Sequence, residues 1–162
     1  MIKELRIDHA ERLDEVDLAI LRSLASDGRK PIAQIAEEVG LTETPCARRL
    51  RQLESRGVIT GYSAVIDPKV VNKDVGVVVF VQLKEDFDAA FEAFTEAIEK
   101  FDAVQSCQFI AGEMDFLLLL RFGAIEELED FARKQLGGLE MVRNFHSIVC
   151  IREILHRPYL KF

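Results

Sequence analysis

Between Pro31 and Val39 the apolar residues Ile32, Ile35, Ala36 and Val39 fall at i, i+3, i+4 and i+7, the spacing of a helix with one buried face. Pro31 suits its first turn, where a missing N–H costs nothing. Gly40 marks its end, because the left-handed backbone of a C-terminal cap penalises any side chain. Leu41 is placed to pack back on this helix, and Thr42 is a good N-cap for the next. In that next helix Cys46, Leu50 and Leu53 repeat at i, i+4 and i+7 as a buried stripe. Upstream, Asp14 caps the helix E-V-D-L-A-I-L-R-S-L-A, whose Val16, Ala19, Ile20 and Leu24 line one side before Asp27-Gly28 closes it. Residues 1–12 read as a helical or frayed leader. Downstream, the β-rich V-I-T-G-Y-S-A-V-I-D predicts a short hairpin interrupted by Gly61. Three helices and a hairpin make a winged helix-turn-helix over residues 1–62, followed by a hinge strand or linker at 63–74 that holds Pro68 and the polar N-K-D.

The period then changes. Val75 to Leu83, V-G-V-V-V-F-V-Q-L, is a β-branched strand. Phe91, Phe94, Ala97, Ile98 and Phe101 recur at helical spacing over about Asp88–Phe101. Val104–Ala111 and Asp115–Phe122 read as two strands joined by the turn Gly112-Glu113-Met114. A helix follows over roughly Ile125–Leu136, closed by Gly137-Gly138, and a last strand runs from Val142 to about Leu155. The order βαββαβ over 75–162 predicts a ferredoxin-like sandwich, so the fold class of the chain is α+β.

Composition narrows the class. With 30% charged and 49% hydrophobic residues in 162, the chain is a globular protein with one large or two small domains. No apolar run approaches the roughly 20 residues of a membrane span, and the first twelve residues do not read as a secretory signal, so the expected location is the cytoplasm. Cys46, Cys107 and Cys150 are odd in number, widely spaced and set on apolar stripes, which predicts buried reduced thiols. His9, His146 and His156 stand at no metal-ligand spacing. No metal, cofactor or catalytic residue is expected.

The chemistry that stands out is in the helix after Thr42. Arg48, Arg49, Arg51 and Gln52 lie away from the Cys46–Leu50–Leu53 stripe, with Thr44 and Pro45 near the N-terminus. Arginine forks grip phosphates and read guanine edges, and the second helix of a helix-turn-helix enters the major groove. The net charge of −7 looks wrong for such a partner. It is unevenly spread: up to Gly61 there are ten basic against eleven acidic residues, and beyond it eleven against seventeen. That pattern argues against a general nucleic-acid coat and fits a regulator that reads double-stranded DNA with one helix.

A winged helix followed by this βαββαβ unit resembles the Lrp/AsnC (feast/famine) family of transcription regulators. L-D-E-V-D-L-A-I-L at 13–21 is similar to the family's opening helix, and the run from Asp27 to Pro68 to its signature. A-G-E-M-D-F-L-L at 111–118 resembles the family's Gly-Asp-x-Asp loop, with Glu113 where the family usually has Asp. The tail H-R-P-Y-L-K-F departs from the usual ending. The resemblance implies a RAM/ACT-like second domain that pairs with a twin into dimers, then tetramers or octamers. It also implies a small amino acid bound near Gly112, Glu113, Met114 and Asp115. Backbone N–H groups of such a turn can hold a carboxylate. Asp115, or Glu113 after it, would take the ammonium, with Ser147 as a weaker partner. Effector binding would then shift assembly, and with it DNA binding. A second reading is an enzyme, because siroheme decarboxylases share the architecture. It would require basic and aromatic groups arranged for a carboxylated tetrapyrrole, whereas the second domain is acidic.

Overall fold

The computed structural model describes residues 13–84, 87–157, 160 and 162, so the leader expected at 1–12 lies outside them. Two compact units are present. One runs to Val65 and includes the chain from His156 onward; the other is Ile66–Leu155.

The first unit contains α1 (Glu15–Ser26), α2 (Ile32–Glu38) and α3 (Glu43–Ser55) around Ile20, Ile35, Ala36, Cys46 and Leu53. α1 begins with a capping box, in which Asp14 accepts the Asp17 N–H at 2.8 Å and the Asp17 side chain accepts the Asp14 N–H at 3.4 Å. α2 ends as the spacing predicts. Gly40 has φ +71°, its N–H reaches Glu37 C=O at 3.3 Å and the Leu41 N–H reaches Ala36 C=O at 2.8 Å. These two bonds satisfy carbonyls that would otherwise be left open at the helix end. They also turn Leu41 onto the core. Lys30 and Ser23 both bind the Glu38 carboxylate, at 2.9 Å and 2.6 Å, and fasten α2 to α1. Arg22 Nε donates to Phe162 C=O at 3.1 Å, which holds the chain end in this unit.

The hairpin expected after α3 is not formed: residues 60–67 contain no strand. A two-stranded ribbon is marginal without a face to bury, and Val65 and Ile66 are 68% and 60% exposed. The segment is tied instead at Tyr62, whose hydroxyl donates to Glu54 at 2.9 Å.

The second unit is a four-stranded antiparallel sheet in the order β2-β3-β1-β4, built from β1 (Val75–Leu83), β2 (Val104–Phe109), β3 (Phe116–Phe122) and β4 (Val142–Cys150). α4 (Phe87–Ile98) and α5 (Ile125–Asp130) cover one face. Val77, Val79, Val81, Phe116, Leu118 and Leu120 meet Phe94, Ile98 and Phe131 there in one core. Strict alternation sends Val78, Phe80, Leu117, Leu119 and Ile148 to the other face, which lies outside that core and where Leu119 and Ile148 are exposed.

Two boundaries and the burial of two cysteines differ from the sequence expectation. The helix expected to reach Leu136 changes after Asp130 to a π-helical turn, Phe131–Leu136. Five residues advance an α-helix by about 500°, which would swing Phe131 and Leu136 about 140° apart. The wider turn lets both side chains be buried. β4 stops at Cys150 because its partner β1 starts at Val75, and Gly76 opposite Cys150 is the last pair. Cys107 and Cys150 are exposed, contrary to the expected buried thiols, and only Cys46 is buried.

The linker is ordered at its second end. Asp67 and Pro68 open a turn in which Lys73 N–H reaches Pro68 C=O at 2.7 Å, and Lys73 pairs with Glu127 at 3.3 Å. Gly123 sits under it. A Cβ there would stand 2.7 Å from the Asn72 carbonyl oxygen and 2.9 Å from Glu127 Oε1. Gly123→Ala is therefore expected to destabilise the second unit by about 1–3 kcal/mol, the usual cost of overpacking. Urea unfolding followed by a probe in the sheet checks this; an unchanged midpoint would mean that the turn yields freely.

Candidate nucleic-acid interface and the turn before strand β3

α3 presents two sides set by its 3.6-residue period. Cys46 and Leu53 are buried, while Thr42, Thr44, Arg48, Arg51 and Gln52 are exposed and Pro45 is half-buried. Among the described residues, no intramolecular ion pair is formed by Arg48 or Arg51. Thr42 occupies the N-cap position but its hydroxyl makes no capping bond, contrary to expectation. The helix therefore opens toward solvent with N–H groups that no side chain closes, a favourable end for an anion.

Arg49 departs from this outward set. It is half-buried, and its Nη1 donates to Asp14 Oδ2 at 2.7 Å and to Asp17 Oδ1 at 2.8 Å, both on α1. The bond to Asp17, then that to Asp14, raises the Arg49 guanidinium above its ordinary value. The Asp17 N–H, aided by Arg49, holds the Asp14 carboxyl below the usual carboxylate range. The placement was readable in the spacing: Arg49 lies three residues after Cys46 and four before Leu53, on their side of the helix.

In the second unit, the turn before β3 is pinned to β1. Asp115 N–H donates to Val81 C=O at 2.9 Å, Ile110 N–H donates to Asp115 C=O at 2.8 Å, and Gln82 Nε2 donates to Glu113 C=O at 3.1 Å. The Asp115 carboxylate accepts the Leu83 N–H at 2.7 Å, so one of its oxygens is already engaged in holding the turn. Gly112, with φ +154°, and the Glu113 side chain are exposed; Met114 is half-buried. Ser147 does not join this group. It pairs with Val79 on the far side of β1, about 10 Å from β3 by strand spacing. Its hydroxyl is buried and finds no partner among the described residues.

Among the described residues no group of three or more His, Cys, Asp or Glu could hold a metal ion, and no helix is long and apolar enough to cross a membrane.

Comparison with known proteins covers both units. A family model described as winged helix-turn-helix DNA-binding matches residues 13–60, and one for the Lrp/AsnC ligand-binding domain matches residues 76–160. A proline dehydrogenase transcriptional activator of Rhizobium radiobacter is 34% identical over 142 residues, 88% of this chain and 91% of that protein. Among solved structures, a transcriptional regulator of Neisseria meningitidis in complex with L-methionine matches at TM-score 0.88 and 31% identity, over 93% of this chain and 97% of that one. A feast or famine regulatory protein of M. tuberculosis, also complexed with L-methionine, matches at TM-score 0.80 and 30% identity, over 92% and 99%.

Proposed function

The chain belongs to the Lrp/AsnC family of DNA-binding transcriptional regulators, and from that premise we propose that α3 reads operator DNA while the second unit answers to a small amino acid. The observation that carries the first part is the outward face of α3. Arg48, Arg51 and Gln52 stand exposed beside Thr44, with Thr42 and Pro45 at the open N-terminus. Set in a major groove, such a face offers guanidinium forks to guanine edges and phosphates, an amide to adenine, and hydroxyls to the backbone.

The amino acid binds beside the turn Gly112–Asp115. Two relatives were crystallised with L-methionine, which supports this ligand class. The exposed Glu113 carboxylate and the second oxygen of Asp115 suit an ammonium, Gly112 lets a carboxylate approach the backbone, and Met114 lies between them. Within one chain Ser147 is no part of this site.

A second copy of the chain covers the free sheet face. Val78, Phe80, Leu117, Leu119 and Ile148 form an apolar surface of the kind that marks protein interfaces. Ligand binding then acts by favouring one assembly over another, which requires that it prefer that assembly. No chemical step belongs to this reading. A tetrapyrrole retained by the purified protein, visible in its absorption spectrum, would reverse it in favour of the enzyme.

A thermal-shift screen against the twenty amino acids tests the ligand, because a compound that binds only the folded state stabilises it by about 2.7 kcal/mol at a hundred times its Kd. At least one amino acid is expected to raise the melting temperature, and Glu113→Ala to weaken the response. A flat response to all twenty would sink the effector half of the proposal and leave DNA binding standing.

A further inference from the structure

Arg49 is the basic residue of α3 that the outward face does not use. One of its nitrogens bonds two carboxylates that are themselves the capping box of α1, at 2.7 Å to Asp14 and 2.8 Å to Asp17. Asp17 is 8% exposed, so the Arg49–Asp17 half of the contact is sheltered, while Asp14 is half-exposed. The contact joins residues 35 and 32 positions apart. Elsewhere in the unit α2 is fastened to α1 by Glu38, and α3 is held by Cys46, Leu53 and the partly buried Leu50. Apolar packing is non-directional and tolerates a small rotation of a helix about its axis. A pair of charge-assisted hydrogen bonds does not, because their strength falls steeply with geometry.

We infer that Arg49 is a positioning residue, which locks the rotation of α3 on α1 through Asp14 and Asp17 so that Thr44, Arg48, Arg51 and Gln52 meet DNA together. The inference rests on α3 being the DNA-contacting helix. It assigns the α1 capping box a second role, as the fixed end of a latch. A rotation of one residue about the axis, about 100°, would replace Arg48 on the DNA side by a neighbour, so even a fraction of that shift misaligns several contacts at once.

Asp17→Asn tests the latch, because two explanations predict opposite signs for it. Removing a negative charge from a DNA-binding unit strengthens DNA binding on electrostatic grounds alone. Through the latch, the same change weakens operator binding roughly tenfold, about 1.4 kcal/mol. Binding would be measured on the full chain as Kd against salt concentration, at a temperature where circular dichroism shows every variant folded. Asp17→Asn and Arg49→Ala should both lose affinity, and the double variant should bind no more weakly than Arg49→Ala alone, because both changes break the same contact. Arg48→Ala should lose about one unit of slope while keeping the parent's melting temperature. If Asp17→Asn binds as tightly as the parent or more tightly, or if it weakens binding further in the Arg49→Ala background, the latch is wrong. Should Arg49→Ala fail to fold, Asp17→Asn decides, because it keeps the shape and one acceptor oxygen. Normal binding and slope in Arg48→Ala would instead overturn α3 as the reading helix, and the latch with it.

Discussion

The double variant Arg48→Ala/Arg51→Ala is expected to bind operator DNA roughly 100-fold more weakly than the parent, about 2.7 kcal/mol, if each arginine makes one good contact. Both side chains are exposed on the side of α3 opposite Cys46 and Leu53. Neither forms an intramolecular ion pair among the described residues, so their removal leaves no stranded charge. Fold and assembly should therefore be untouched, and the whole loss should appear at the DNA. The salt dependence separates the two roles an arginine can take. Two lost phosphate contacts reduce the slope of log Kd against log salt by about two, whereas two lost base contacts relax sequence preference and leave the slope in place. A mobility-shift titration at several salt concentrations, on specific and scrambled DNA, reads both. Parent-like affinity on both DNAs would remove α3 from the interface.

Phe94→Ala should cost about 3–5 kcal/mol, a large share of the 5–15 kcal/mol that holds a typical domain. Phe94 is 0% exposed on α4 and packs against Phe116 of β3 at 4.7 Å between ring centroids, with the rings tilted by 40°. Phe91 stands 5.3 Å from the same ring, so the truncation opens a cavity inside an aromatic cluster that cannot simply close. The effect should be confined to one unit. Phe94 belongs to the core of the sheet, and that core shares no residue with the cluster around Ile20, Ile35, Ala36, Cys46 and Leu53. Hydrogen exchange is the suitable measurement: amides of β1 and β3 lose protection while those near Ile20 and Leu53 keep theirs. Ile20→Ala should give the reverse pattern. Equal loss in both units would show that they unfold as one.

Several parts of the molecule were legible in order along the chain. Apolar spacing placed α1, α2 and α3, and the Gly40 stop between the last two. β1 appeared as Val75–Leu83, with the same bounds in the structure. These features depend on neighbours within one or two turns, and local sequence carries that information. The hairpin after α3 was misread because alternation shows what a strand would look like, not whether anything is there to pair with it. Val65 and Ile66 are apolar and find no face to bury. The last strand was overextended for a related reason, since its end is set by where β1 begins.

The chain by itself determined the two-unit order, the helix-turn-helix and the basic character of its second helix, because each follows from periodicity, caps and charge within a short window. Only the tertiary structure decided what the polar side chains do. The spacing of Arg49 puts it on the side of Cys46 and Leu53, but its partners Asp14 and Asp17 are supplied only by the packing of α1. Asp115 looked like a free ligand for an ammonium until β1 placed the Leu83 N–H on its carboxylate. Ser147 looked close to that turn until strand order put β1 between them. The physical reason is that burial of an apolar face is a property of one element's own pattern, whereas a hydrogen bond needs a partner at a set distance and angle, supplied to Arg49 and Asp115 by residues more than thirty positions away, and neighbours across a sheet are set by strand order.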